Sequence, residues 1–310
     1  MNNTLKKIVL ITAVVAVVSL GAAAILFFTT SMNRAWELRG GITVDERETF
    51  EPAGITEINV RTSSTDVFIG NAEGSSIEVH LHGTVHTSRS EAIPTLTAEQ
   101  TGDLLEITAE RENGKHFVFF GFYSDDLVLE IGVPKQYRNR LVVRTSSGDV
   151  DITDQNLSDL SVDTSSGDMQ LRSIQAATVS MESSSGDQEA ENLQAEYSEL
   201  TSTSGDLRVG GLKGGAKVKS SSGKITLSYL EFNADLEVRS SSGDVKLFLT
   251  KAAQFRLEAR ASSGDIRCEF PVTLAGASSE MSRNRVFGAV RDGTHQVVVK
   301  TSSGDITIRP

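Results

Sequence analysis

Cysteine is almost absent: Cys268 is the only one in 310 residues. No internal disulfide can form, and no cysteine cluster can hold a metal. Aromatic residues make up 6%, with one tryptophan, and there are only five prolines. That profile fits an all-β chain with many turns better than a helical enzyme. Positive charge is in deficit as well. Thirty Lys and Arg against 41 Asp and Glu leave a net charge of −11. An acidic surface repels phosphate backbones, so no nucleic-acid partner is expected. No P-loop, Gly-x-Ser-x-Gly elbow or His-Glu-x-x-His occurs, and the abundant serines sit in repeats with no histidine beside them.

Charge is missing altogether from Ile8 to Phe28, which reads IVLITAVVAVVSLGAAAILFF. As a helix this stretch spans about 31 Å, close to the roughly 30 Å hydrocarbon core. Ala22-Ala23-Ala24 imitates a signal-peptidase site, but Ile25-Leu26-Phe27-Phe28 carry the apolar run past it. No cysteine directly follows, which excludes lipoprotein processing. Residues 8–28 are therefore expected to be an uncleaved transmembrane signal anchor, and this segment is the expected contact with the cell membrane. Lys6 and Lys7 precede the span, and Arg34 and Arg39 follow it. The lysines lie closer and share the terminal amine, so 1–7 is expected in the cytoplasm and the remainder outside. Residues 29–54, with Gly40-Gly41 and Pro52, read as a polar linker. Trp36 within it suits either the membrane interface or the base of the following domain.

Beyond the linker one pattern dominates. A Ser-Ser-Gly-Asp unit recurs with its glycine at 148, 167, 186, 205, 223, 243, 264 and 304. The spacings are 19, 19, 19, 18, 20, 21 and 40, the last counting as two periods with a degenerate copy near Asn284. Two residues after the glycine stand Val150, Met169, Gln188, Leu207, Ile225, Val245, Ile266 and Ile306. Four after it stand Ile152, Leu171, Ala190, Val209, Leu227, Leu247, Cys268 and Ile308. Five before it stand Val143, Val162, Met181, Leu200, Val218, Val238, Ala259 and Val299. Between the first two columns lie polar residues such as Asp151, Gln170, Glu189 and Arg208. Alternation of period two marks strands with one face in and one out. Equivalent copies bury their inward faces only by stacking in parallel, like above like. The expectation is an all-β, parallel β-solenoid with coils of about twenty residues over 55–310, regular over 141–310.

Residues 55–140 fit as a degenerate beginning. Thr62-Ser63-Ser64-Thr65-Asp66 is the same turn with threonine at the glycine place, and Thr101-Gly102-Asp103 is a shorter echo. The 83 residues from 65 to 148 divide into about four periods, and Leu127–Val133 reads as a strand ended by Pro134.

The repeated T-S-S-G-D-[VI]-x-[IL] turn, preceded by a strand ending in Val133-Pro134, resembles the bacterial putative-adhesin family of β-solenoid domains. Its anchored members include LiaG-like proteins of cell-envelope stress operons, whose N-terminal anchor this chain shares. The resemblance implies a β-helix, right-handed in its coiling, located at the cell envelope. It supplies no catalytic or binding residues.

The turn residues carry structural roles in this reading. Glycine supplies a positive φ, the paired hydroxyls (Ser146-Ser147 and their equivalents) bond turn backbone, and the following aspartate accepts an N–H as an Asx turn. Calcium between coils is the competing reading, but each coil offers one carboxylate where calcium takes six to eight oxygens. No metal, cofactor or catalytic residue is assigned. His80, His82 and His86 share one strand face with Glu78, which suits zinc or pH sensing but is read as a solvated face. His116–Tyr123 gathers five aromatics as a core cap or an exposed patch. Cys268 falls in an inward column and is read as core. The last strand, ending Ile308-Arg309-Pro310, is expected to leave an open edge. Function is expected to be non-enzymatic: an adhesin-like or scaffold module at the cell surface, meeting an envelope protein or a cell-wall polymer. A β-helix enzyme acting on surface polysaccharide is the alternative, and a cytoplasm-facing scaffold is the third.

Overall fold

The computed structural model describes residues 41–87, 93–111, 123–274 and 280–310. The 8–28 segment, Trp36 and 116–122 lie outside the described residues. Among the described residues every regular element is a β-strand, and no helix is long and apolar enough to cross a membrane.

One coil shows how the sequence builds the fold. After the turn at Gly167, Met169 and Leu171 point inward and are buried, while Gln170 points out. Ser173 then turns a corner with φ of 57°, and the chain returns through Val179 and Met181 to the next turn. Corners at Asp154, Asn192 and Gly211 repeat this left-handed conformation at 55°, 56° and 67°. Short polar residues and glycine suit it, because Asn, Asp and Gly tolerate the left-handed region best. The next coil lies parallel in register, with Met169 opposite Gln188 and Met181 opposite Leu200. The three inward columns are buried as expected, apart from the outermost Ile266 and Cys268, which are half-buried.

The glycine column has a stricter cause than dihedral freedom. A Cβ on Gly167, Gly205 or Gly243 would stand 2.0 to 2.3 Å from the carbonyl oxygen of the glycine in the preceding coil. Gly186, Gly205, Gly223, Gly243, Gly264 and Gly304 also have positive φ, but Gly148 and Gly167 do not. Backbone packs on backbone throughout the column, so no side chain fits. Thr65 is tolerated because it opens the column, and Gly148 packs against its carbonyl.

The hydroxyls that satisfy the turn sit one position earlier than expected. Ser146 and Ser147 are exposed, whereas Thr145 is buried and its Oγ1 accepts the Gly148 amide at 3.0 Å. Thr164 does the same for Gly167 at 3.0 Å. Ser220 and Thr301 instead donate to the carbonyls of Ser222 and Ser303, at 3.0 and 3.1 Å. The paired serines contribute through their backbones, as Ser166 N–H donates to the Ser146 carbonyl at 3.0 Å.

Both ends depart from simple stacking. The strand Glu57–Thr62 pairs directly with Arg140–Thr145, and Asp66–Asn71 pairs with Val150–Thr153. The 83-residue spacing from Thr65 to Gly148 therefore does not hold four coils. After Asn71 the chain leaves the stack, lays Leu104–Arg111 and Val128–Val133 on the far side of the first coil, and returns at Arg140. The antiparallel strand Ile77–Thr87 then covers Val128–Val133, and Ile42–Phe50 covers Ile77–Thr87. Part of the expected linker is thus an added strand. Thr101-Gly102-Asp103 is the tight turn of an antiparallel hairpin, Pro94–Thr101 against Leu104–Arg111, and not a coil turn.

At the other end the 40-residue spacing is an insertion. His295–Ser303 lies between Leu236–Ser242 and Phe255–Ser263, and Ile306–Arg309 lies between Val245–Phe248 and Ile266–Cys268. The last strand therefore has a partner on each side and leaves no edge. The outermost coil is 255–268, and no coil forms at Asn284. Instead Arg285–Val290 runs antiparallel along Phe255–Ser263 and closes that side. The interior here is filled by Tyr229, Phe232, Phe255 and Phe270, which meet edge to face at centroid distances of 5.0, 5.9 and 5.4 Å.

Candidate functional site

The aspartates after the glycines are part of the scaffold. Oδ1 of Asp149 accepts the amide of Asp168 at 2.9 Å, Oδ1 of Asp168 that of Asp187 at 2.8 Å, and Oδ1 of Asp187 that of Asp206 at 2.7 Å. Asp66 begins the series and Asp206 extends it to Lys224. Lys224 has no oxygen to offer, so the series stops and resumes at Asp244, which accepts from Asp305, and Asp305 from Asp265. These bonds join coils; they are not Asx turns within one coil. At the outermost coil the Arg283 guanidinium occupies Asp265, where another coil's amide would otherwise stand. Its backbone carbonyl also takes the Ile266 amide at 2.8 Å.

The more distinctive surface is the outward row of the strands that follow the glycines. The register lines up Arg47, His80, Glu130, Phe68, Asp151, Gln170, Glu189 and Arg208 across neighbouring strands. It continues through Thr226, Lys246, Thr307 and Arg267. Arg47 opens the row, the carboxylates Glu130, Asp151 and Glu189 follow, and the cations Arg208, Lys246 and Arg267 come after them. At the Arg47 end the row lines an open groove of about 660 Å³, with Arg47 and His80 on the added antiparallel strands and Phe68, Glu130 and Asp151 on the strands beside them. Phe68 lies in it with 45% of its surface exposed, between Glu130 and Asp151. Asp151 is only 19% exposed and is paired with Arg172, whose other nitrogen donates to Gln170 at 2.8 Å.

The histidine face expected from the sequence borders this groove, but it is not simply solvated. His80 is 20% exposed, and its Nε2 lies 2.8 Å from Oδ1 of Asp45 on the neighbouring strand. That hydrogen bond, with Arg47 beside it at 3.3 Å, holds the Asp45 carboxyl below its ordinary range. His82 Nε2 lies 3.4 Å and His80 Nδ1 3.8 Å from Oε2 of Glu130. The two rings are 4.3 Å apart, and His82 Nε2 is buried without a hydrogen-bond partner. Glu130 and Asp45 were not singled out in the sequence, because nothing local links them to the histidines. Cys268 is half-buried with Sγ 4.0 Å from the Phe270 carbonyl, and desolvation pushes its thiol up.

Parallel coils in register, a backbone-packed glycine column and an inserted last coil define a β-solenoid-like, repeat-built all-β domain. The chain belongs to the Toastrack DUF4097 family, which matches residues 55–309. This is a domain family of unknown function, and several solved structures similar to this chain are named as putative adhesins. One is from Bacteroides fragilis, with 14% identity and a TM-score of 0.51, covering 86% of this chain and 97% of the other. Another, from Parabacteroides distasonis, has 10% identity and a TM-score of 0.44, covering 86% and 97%. A structure named as a putative lipid binding protein, from the same species, has 12% identity and a TM-score of 0.37, covering 86% and 98%. No curated protein matches.

Proposed function

We propose that the chain is a non-enzymatic, adhesin-like surface module, held to the cell membrane by residues 8–28 with its solenoid outside. Its coiling is right-handed, and like the LiaG-like proteins it serves the cell envelope. The observation that carries this reading is the use of the aspartates. From Asp66 to Asp305 they are spent on the amides of neighbouring coils, Asp265 at the outermost coil being taken by Arg283, which is what a rigid rod requires and not what a catalytic centre provides. The rod presents one continuous row of mostly charged and polar side chains, and the groove around Phe68 is its contact for an envelope partner. An exposed ring flanked by carboxylates and arginine suits a glycan polymer of the cell wall, offering an apolar face beside polar anchors. Protease shaving of intact cells removes the solenoid if it lies outside; survival of the domain would instead support the cytoplasm-facing scaffold. Pull-down with cell-wall fractions retains the wild type, and Phe68→Ala loses the interaction.

One observation favours the alternative, an enzyme acting on surface polysaccharide. Glu130, Asp151, Arg47 and Arg172 form an irregular acid–base cluster at one place on the rod. Release of reducing ends from cell-wall polysaccharide, abolished by Asp151→Asn, would establish it and displace the first reading.

A further inference from the structure

We propose that His80, His82 and Glu130 form a three-ligand site for one zinc ion, with Asp45 orienting His80 from behind and a fourth position open towards the groove. His80 and His82 are two residues apart on one strand, so their side chains leave the same face. Glu130 stands directly opposite His80 on the next strand, and Asp45 lies on the strand at the other side. Three adjacent strands thus converge on one point, which a row of independently solvated residues has no reason to do.

The distances suit the ion. Zinc binds imidazole nitrogen and carboxylate oxygen at about 2.0–2.2 Å, and tetrahedral geometry then places ligand atoms about 3.3 Å apart. Here Glu130 Oε2 lies 3.4 Å from His82 Nε2 and 3.8 Å from His80 Nδ1. All three ligand atoms fall within 4.8 Å of one another, so small side-chain rotations complete the site.

The proton arrangement also fits. A carboxylate only accepts, so the 2.8 Å bond to Asp45 places the proton of His80 on Nε2 and turns the Nδ1 lone pair towards Glu130 and His82. A ligating histidine that donates its other N–H to a carboxylate is the usual support of a zinc site. His82 adds a further sign. Its Nε2 is buried and makes no hydrogen bond, although Glu130 Oε2 lies 3.4 Å away, and a polar nitrogen left so costs free energy. Zinc satisfies that nitrogen and the lone pair of His80 at once. Two imidazoles and one carboxylate are a borderline-soft set that suits zinc and not calcium.

The test is calorimetric titration of the untagged full chain in detergent with zinc, after chelator dialysis. Wild type should bind one zinc per chain and rise in melting temperature with zinc but not with calcium. Cobalt as a substitute should give a visible absorption band. His82→Ala and Glu130→Gln should each weaken zinc at least about a hundredfold, and Asp45→Asn by about ten- to a hundredfold. His295→Ala, remote from the cluster, should leave affinity unchanged. Glu130→Gln keeps the shape of a largely exposed side chain, so its loss reports ligation and not misfolding. Absence of zinc binding by the wild type, or equal affinity in Glu130→Gln, overturns the site.

Discussion

Gly304 stacks directly on Gly243, so closely that a Cβ on Gly304 would lie 2.3 Å from the Gly243 carbonyl oxygen. Gly264, which stands between them in sequence, packs on the other side of Gly304. The stack is therefore ordered by register and not by chain order at this end.

The glycine column predicts a sharp contrast between two alanine substitutions. Gly205 has φ of 113°, and its Cβ would meet the Gly186 carbonyl at 2.3 Å. Gly205→Ala should cost more than about 3 kcal/mol, combining dihedral strain with displaced backbone. Gly54, at φ of 86° with nothing within 4 Å, should cost only about 1–2 kcal/mol on Gly54→Ala. Chemical denaturation of both variants measures the difference; equal losses would mean that the coils do not touch at the glycines.

Ile306 is fully buried in the inserted coil, with Val245 and Ile266 as neighbours. Ile306→Ala should cost about 2–5 kcal/mol, as a cavity in a packed interior does. Removing 295–310 should expose Leu236–Ser242 and Phe255–Ser263 to proteolysis together. Digestion confined to 255–268 would show instead that the last coil sits outermost.

Asp187→Ala removes the acceptor for the Asp206 amide and should cost about 1–3 kcal/mol, while Asp187→Asn, which keeps an oxygen, should cost less. Because Oδ1 in this column is already engaged by backbone, calcium and chelator should leave the unfolding midpoint of a zinc-free chain unchanged. A midpoint that rises with calcium would give the aspartates a second task.

Tyr229 is buried among aromatics, and its hydroxyl has no hydrogen-bond partner. Burial pushes the phenol up, well above its ordinary range. Tyr229→Phe should leave the protein unchanged or stabilise it by up to about 2 kcal/mol, since an unsatisfied polar group leaves the core. Marked loss of stability on this substitution would reveal a partner for the hydroxyl.

The interior was legible because each coil repeats the same alternation, so Val143, Val150 and Ile152 declare their faces from local spacing alone. The hydroxyl column was legible too by parity: Thr145 shares the inward face with Val143. The paired serines, as the more regular motif, mask it. The ends were not legible. A gap of 40 residues divides evenly into two periods whether it holds a coil or an insertion, and only pairing energies decide which neighbour a strand takes. Thr101-Gly102-Asp103 misled for a related reason, since Gly-Asp chemistry serves hairpins as well as coil corners. The groove depends on Arg47, His80, Glu130, Phe68 and Asp151 meeting from five strands, and no spacing in the chain announces that.

The inserted coil also imposes an order of events on folding. Phe255–Ser263 is synthesised before His295–Ser303, yet it cannot reach its final place until that later strand has entered beneath it. Until then the stack ends at Leu236–Ser242 with apolar columns open to water. Closure of this end thus reports that translation has passed residue 309, and a prematurely stopped chain stays visibly unfinished to proteases and chaperones.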